Sequence, residues 1–126
     1  MLKTNFYKEY SNCYSYNYNE FDDFNIWLFY NFLDDLVSKN AYWFLLDNLK
    51  DKNSKGLTGN CSDLTLFQDK GIIIDLFDDE KRSITLERSH LIELVKKWRE
   101  LCEKGVPIIT IKRDGETFII EEGKEE

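Results

Sequence analysis

The 126-residue sequence is poor in the residues that metal sites, disulfide frameworks and catalytic relays use. It contains one histidine, His90, and three cysteines, Cys13, Cys61 and Cys102, that lie far apart. An odd number of separated cysteines without a CxxC pair argues against a disulfide framework and a zinc site, and favours free thiols in a reducing compartment. A glycine-rich phosphate loop is also lacking. These absences predict a protein that is not an enzyme and that holds no cofactor and no metal.

Long apolar runs are lacking as well. The longest, from Ile26 to Leu33, is interrupted by Asn31 and closed by Asp34 and Asp35. It is far shorter than the roughly 20 residues that a membrane span needs. The first eight residues have no apolar core of signal-peptide length. We therefore expect a cytoplasmic protein that does not enter the membrane.

Basic residues are also fewer than acidic residues. The chain carries 24 acidic against 17 basic residues, a net charge of −7, and neither half of the sequence is basic. Nucleic acid is disfavoured as a direct ligand, because phosphate binding requires clustered Lys and Arg. A basic protein partner is favoured, since complementary potentials speed association. Solubility alone is an alternative explanation of the same charge.

The length and composition fit a single domain that spans residues 1–126. Apolar residues make up 42% of the chain and aromatic residues 15%, which is enough for a hydrophobic core. Residues 1–20 are a strand or an arm, because Tyr14, Tyr16 and Tyr18 alternate with polar residues. The last six residues, 121–126, are expected to fray.

Two helices are predicted in the first half of the chain. The first covers residues 22–38, with Asp22 and Asp23 at its N-terminus and Lys39 and Asn40 at its end. Its apolar face is wide, which predicts burial between two layers. The second helix covers residues 41–49, and a polar, glycine-containing loop follows over residues 50–60.

The second half predicts a strand–strand–helix–hairpin unit. A short strand is predicted around residues 64–67, before this unit. The unit itself begins with strands over 71–77 and 83–86. The helix begins near Thr85 or Ser89 and ends at Gly105. Strands over 108–111 and 117–120 flank Asp114-Gly115, a hairpin signal. The predicted class is α+β, with N-terminal helices on one face of a mostly antiparallel sheet.

The C-terminal unit resembles the same part of small acidic bacterial immunity proteins. The resemblance lies in three consecutive segments, Ile72–Phe77, Ser83–Leu86 and Leu91–Trp98, followed by the hairpin. It implies a non-enzymatic cytoplasmic protein that neutralises one cognate toxin of a contact-dependent inhibition or polymorphic toxin system. Many such toxins are basic nucleases, so the resemblance implies occlusion of a nuclease active site.

Charge and expected exposure suggest which residues would contact the toxin. The candidates are acidic residues at the end of the first helix and around the first hairpin of the unit: Asp34, Asp35, Asp75, Asp78, Asp79 and Glu80. Two alternatives remain open. One is a non-catalytic adaptor or homo-oligomeric assembly protein, such as a homodimer through a sheet edge or through the wide aromatic helix. The other is a metal-dependent hydrolase that uses Asp34, Asp35, Asp75 or Asp78.

Overall fold

The computed structural model describes residues 1–10, 13–17, 23–38 and 41–124. Eight strands and three helices lie within these ranges. Their bounds are β1 Leu2–Tyr10, β2 Cys13–Tyr16, α1 Phe24–Leu36, α2 Tyr42–Lys50, β3 Gly56–Thr58, β4 Ser62–Phe67, β5 Lys70–Asp75, β6 Ser83–Glu87, α3 Arg88–Lys104, β7 Ile108–Asp114 and β8 Thr117–Glu122. The α+β class predicted from the sequence is confirmed.

Sheet one has the strand order β2-β1-β7-β8, and all of its pairings are antiparallel. The hairpin predicted at Asp114-Gly115 is confirmed, and Gly115 takes the left-handed conformation (φ 62°) that this turn requires. The strand β8 extends to Glu122, and the Gly123 N–H donates to the Ile108 carbonyl at 2.9 Å. The expected fraying is therefore wrong for residues 121–123, while residues 125–126 lie outside the described ranges.

Sheet two has the order β3-β4-β5-β6 and is also antiparallel. The strands thus divide into two sheets, whereas a single sheet was expected. The strand β3 lies inside the segment predicted to be loop, where Gly56 adopts a φ of 118°. A side chain at Gly56 would collide with the Leu64 carbonyl oxygen, which explains why glycine begins this strand.

Helix α1 packs against strands of both sheets, which confirms the prediction of burial between two layers. Eight of its thirteen residues are buried. The Asp23 carboxylate caps its N-terminus by accepting the Ile26 N–H at 3.2 Å. Because the wide apolar face of α1 is internal, it cannot be a dimer surface. Asp22, Lys39 and Asn40 lie outside the described ranges.

Helix α3 begins at Arg88, directly after β6, and its buried face contains the predicted apolar residues. The predicted start near Ser89 is confirmed to within one residue, whereas the alternative start at Thr85 is wrong because Thr85 lies within β6; the N-cap residue is Glu87, which makes no side-chain capping bond. The Arg88 guanidinium connects the start of the helix to other segments by donating to the carbonyls of Leu49, Asp51 and Gln68. Gly105 ends the helix in the left-handed conformation, as predicted.

An aromatic cluster at the centre of the core connects sheet one to α1 and α3. Trp98 makes edge-on contacts with Phe6, Tyr14 and Tyr30 at centroid distances of 6.0–6.1 Å. Its indole N–H donates to Ser38 Oγ at 2.8 Å. The described helices include none that is both long enough and apolar enough to span a membrane.

Candidate functional site: an acidic cleft beside the β5–β6 hairpin

An open cleft of about 280 Å³ lies where α1, the segment before β4 and the end of β5 meet. We refer to it as the acidic cleft. It is lined by the side chains of Trp27, Asn31, Asp34, Asp35, Cys61, Asp75 and Phe77. It therefore brings together three of the six predicted site residues, and it places two aromatic rings beside them.

Asp35 holds the segment before β4 against α1. Its carboxylate accepts the backbone N–H groups of Asn60, Cys61 and Ser62 at 3.3, 2.9 and 3.1 Å. The side chain is buried, so these charge-assisted hydrogen bonds replace its hydration. Gly59 passes so close to the carboxylate that a Cβ there would lie 2.3 Å from Asp35 Oδ2. Asp35 thus forms a structural part of the cleft.

Asp75 is buried at the end of β5, with 4% of its surface exposed. It follows Gly71 and Ile73 on the inward face of the strand. Its Oδ1 accepts the Phe77 N–H at 2.9 Å. The sheet register pairs Asp75 with Ser62, whose side-chain hydroxyl is buried and has no hydrogen-bond partner within the described residues.

The turn of the β5–β6 hairpin is fixed by Asp78 and Arg82. Asp78 accepts hydrogen bonds from the Glu80 and Arg82 backbone N–H groups, and its two oxygens bind the Arg82 guanidinium at 3.1 Å. The Arg82 hydrogen bond lowers the pKa of Asp78 to about 2. Arg82 also lies 3.6 Å from the centroid of the Phe24 ring, so the turn is attached to the start of α1.

Two aromatic side chains flank the carboxylates. The ring of Phe77 is 76% exposed although its backbone is held by Asp75. Trp27 is half-buried, donates its indole N–H to the Tyr16 hydroxyl at 3.1 Å and contacts Phe24 at 5.4 Å between centroids. The cleft therefore presents two aromatic side chains beside negative charge.

The six predicted residues separate into two groups. Asp34, Asp35 and Asp75 line the cleft, whereas Asp78, Asp79 and Glu80 lie in the adjacent turn. The expected exposure is wrong for Asp35 and Asp75, which are buried; three backbone N–H groups bind the Asp35 carboxylate, and one binds that of Asp75. Asp79 and Glu80 are exposed as expected.

Sequence reasoning missed the two aromatic residues of the cleft. Phe77 ends an isoleucine-rich stretch and was read as the last residue of the strand, although β5 ends at Asp75. The signal that could have shown that Asp75 is buried is its spacing from Ile73, because residues two apart in a strand share a face. No comparable signal marks Trp27, which lies within the apolar run from Ile26 to Leu33.

His90 and Cys102 are not among the residues that line the acidic cleft. Within the described ranges, no three His, Cys, Asp or Glu side chains are arranged to hold a metal ion. Cys102 is buried in the core, and this burial raises the pKa of its thiol to about 12. His90 lies in a separate depression with Lys70, Glu87 and Glu116.

Comparison of this chain with protein-family models, with curated proteins and with solved structures finds no match.

Proposed function

We propose that this protein binds a basic protein and inhibits it, as an immunity protein inhibits its cognate toxin. The observation that supports this proposal best is the acidic cleft, in which Asp34 and Asp75 stand beside the exposed ring of Phe77. Acidic side chains steer a basic partner toward the surface, and a rigid aromatic residue supplies the buried anchor that dominates binding energy. The net charge of −7 acts in the same direction over longer distances.

The proposed mechanism is occlusion of the partner's active site. Basic residues that bind nucleic-acid phosphates in a nuclease would instead face the carboxylates of the cleft and of the adjacent turn. Asp35 and Asp78 bind groups of this chain, and Glu80 lies 3.4 Å from Arg82 Nε. The contacts proposed for the partner are therefore the exposed carboxylate of Asp79 and the carboxylates of Asp34 and Asp75 that line the cleft.

Co-expression tests the proposal directly. The product of the gene immediately upstream is expressed in bacteria with and without this chain, and growth is measured. Rescue of growth together with a complex that co-purifies supports the proposal. A toxic upstream product that this chain neither rescues nor binds contradicts it.

A matched pair of variants connects rescue to the cleft. Phe77→Ala removes the exposed ring of the cleft, and Phe67→Ala removes a ring of similar exposure, 65%, from the β4–β5 hairpin. Loss of rescue with Phe77→Ala but not with Phe67→Ala assigns the contact to the cleft. Equal effects of both variants would place the interface elsewhere.

A second candidate function is that of a non-catalytic adaptor or homo-oligomer. It is favoured by Trp43 and Phe44 on α2, which are adjacent in sequence and 68% and 62% exposed. Two neighbouring exposed aromatic residues are typical of an interaction surface. Sedimentation of the purified chain tests this function: a dimer that Trp43→Ser dissociates supports it, and a monomer at all concentrations excludes self-association.

A further inference from the structure

Asp75 has fewer compensating contacts than the other buried carboxylates of the described residues. Asp23 binds Arg113 and caps α1, and Asp35 accepts three backbone N–H groups. Asp75, at 4% exposure, accepts one N–H group, from Phe77, and forms no ion pair within the described ranges. An ionised carboxylate can accept about four hydrogen bonds, and a buried one is normally paired with a cation. Asp75 therefore has unused capacity for a cationic ligand.

Ser62, which pairs with Asp75 in the sheet register, is a second, independent sign of a buried polar group whose hydrogen bonding is incomplete. Its side chain is fully buried, and its hydroxyl has no hydrogen-bond partner within the described residues. The antiparallel register places Ser62 directly opposite Asp75, so both side chains leave the sheet on the same face. A buried hydroxyl without a hydrogen-bond partner lowers the free energy of unfolding by about 1–3 kcal/mol. The Ser62 hydroxyl beside the Asp75 carboxylate therefore indicates a site where a hydrogen-bond partner is missing.

The ring of Phe77 provides the third element. Its backbone N–H donates to Asp75, so carboxylate and ring are fixed two residues apart at one cleft. An arginine held between a carboxylate and an aromatic ring already occurs beside this cleft. Arg82 of the same hairpin binds both oxygens of Asp78 and lies over the ring of Phe24 in α1. A carboxylate beside an aromatic face is the arrangement that a planar guanidinium recognises.

We propose that the acidic cleft binds one arginine side chain of the partner protein. The guanidinium donates charge-assisted hydrogen bonds to Asp75 and stacks against Phe77, with Asp34 on the opposite wall. Lysine is the poorer ligand, since its compact ammonium group neither forms a planar fork nor stacks. The cleft volume of about 280 Å³ suits one side chain, because small-molecule sites are usually about 300–1,000 Å³. This inference rests on the proposed function and names the chemistry of the partner residue.

Titration with two model compounds tests the inference without the partner. The ¹⁵N-labelled chain is titrated with N-acetyl-arginine amide and, separately, with N-acetyl-lysine amide at equal ionic strength. We expect the arginine compound to shift the backbone resonances of Cys61 and Phe77 and the indole resonance of Trp27. We also expect its dissociation constant to be about 2–5-fold lower than that of the lysine compound, as a cation–π contact predicts. Equal shifts with both compounds, or shifts outside the cleft, would overturn the inference.

Three variants test which side chains produce the preference for arginine. Asp75→Asn and Phe77→Ala are each expected to remove the preference for arginine, whereas Phe67→Ala retains it. If Asp75→Asn fails to fold, Phe77→Ala decides alone, since its side chain is 76% exposed. Retention of the preference by Phe77→Ala would contradict the stacking contact.

The two proposals can fail separately. Absence of an arginine preference, combined with growth rescue and complex formation, rejects the arginine site and leaves the proposed function standing. An arginine preference combined with failure of rescue rejects the proposed function and leaves a guanidinium-binding cleft.

Discussion

Arg113 on β7 and Asp23 at the N-terminus of α1, ninety residues apart in sequence, form a two-point ion pair. Arg113 Nε lies 2.7 Å from Asp23 Oδ2, and its second terminal nitrogen lies 3.0 Å from Oδ1. Asp23 uses the same carboxylate to cap α1. One side chain therefore connects sheet one to the helix that carries the wall of the acidic cleft.

Removal of this carboxylate is expected to be costly. Asp23→Ala loses the cap and leaves the Arg113 guanidinium unpaired in a site where only 17% of its side chain is exposed. We expect the free energy of unfolding to fall by about 3 kcal/mol, the scale of breaking a largely buried ion pair. Urea denaturation followed by tryptophan fluorescence measures the change. Glu116→Ala, an exposed residue of the turn between β7 and β8, is the control; a loss below about 1 kcal/mol for Asp23→Ala would contradict the prediction.

Asp35 is expected to act through the fold alone. Asp35→Ala leaves the N–H groups of Asn60, Cys61 and Ser62 without an acceptor. At about 1 kcal/mol for each lost hydrogen bond, we expect the free energy of unfolding to fall by about 3 kcal/mol. Asp79→Ala, an exposed residue of the adjacent turn, is expected to change stability by less than about 0.5 kcal/mol. Thermal unfolding of both variants checks this contrast, which fails if the two melting temperatures coincide.

Stability is expected to fall at acidic pH because of two carboxyl groups. Arg82 lowers the pKa of Asp78 to about 2, and Arg113, against the opposing effect of burial, lowers the pKa of Asp23. Both folded pKa values lie below the unfolded value of about 3.9. Each contribution is therefore complete above that value; that of Asp78 is lost as pH falls through about 2, and that of Asp23 is lost as pH falls through its own lowered pKa. Melting temperatures from pH 5 to pH 2 measure the slope, which we expect Asp78→Asn to flatten and Asp79→Asn to leave unchanged.

The helices and the C-terminal hairpin could be predicted because their signals are local. Apolar spacing marks α1 and α3, and Asp114-Gly115 marks the turn. The prediction of a strand or an arm over residues 1–20 did not give the bounds of β1, because its inward residues Thr4 and Phe6 are too few to form a clear pattern. Its stability comes from pairing with β7, whose residues lie more than a hundred positions away.

The acidic residues of the cleft could be predicted from the sequence, but their hydrogen-bond partners could not. Asp34 and Asp35 follow an apolar run, and nothing near them in sequence shows that Cys61 and Ser62 would donate to Asp35. These donors meet the carboxylate because β4 packs against α1, a tertiary contact. Adjacent residues on a helix diverge by about 100°, which separates the buried Asp35 from the half-buried Asp34.

Charge reversal in the turn is expected to slow association with the partner. The double variant Asp79→Lys and Glu80→Lys changes two exposed residues beside the cleft. We expect the association rate at low salt to fall about tenfold, because electrostatic steering acts on the encounter. Asp47→Lys with Glu93→Lys makes the same change in net charge at exposed positions on α2 and α3. Stopped-flow binding compares the pair, and equal rates would show that the turn does not face the partner.

The Cys102 thiol is expected to be unreactive in the folded protein. It is 3% exposed, and burial raises its pKa to about 12, so little thiolate is present at neutral pH. In a variant with Cys13→Ser and Cys61→Ser, we expect the thiol reagent DTNB to react at least about 100-fold more slowly than in urea. Wild-type protein, with half-buried Cys13 and Cys61, is expected to react faster. Rapid reaction of the double variant would show that the core opens around α3.

The two sheets differ in how much of the chain must be synthesised before their strands can pair. Sheet two joins strands that are consecutive in sequence, so each strand finds its neighbour after a short loop. Sheet one cannot be completed in this way, because Asn5 on β1 meets Thr110 only after 105 further residues have been added. Until then β1 has an unpaired edge, which is where chains associate wrongly. Sheet two and α3 are therefore expected to assemble first, and the closing of β1 against β7 sets the pace of folding.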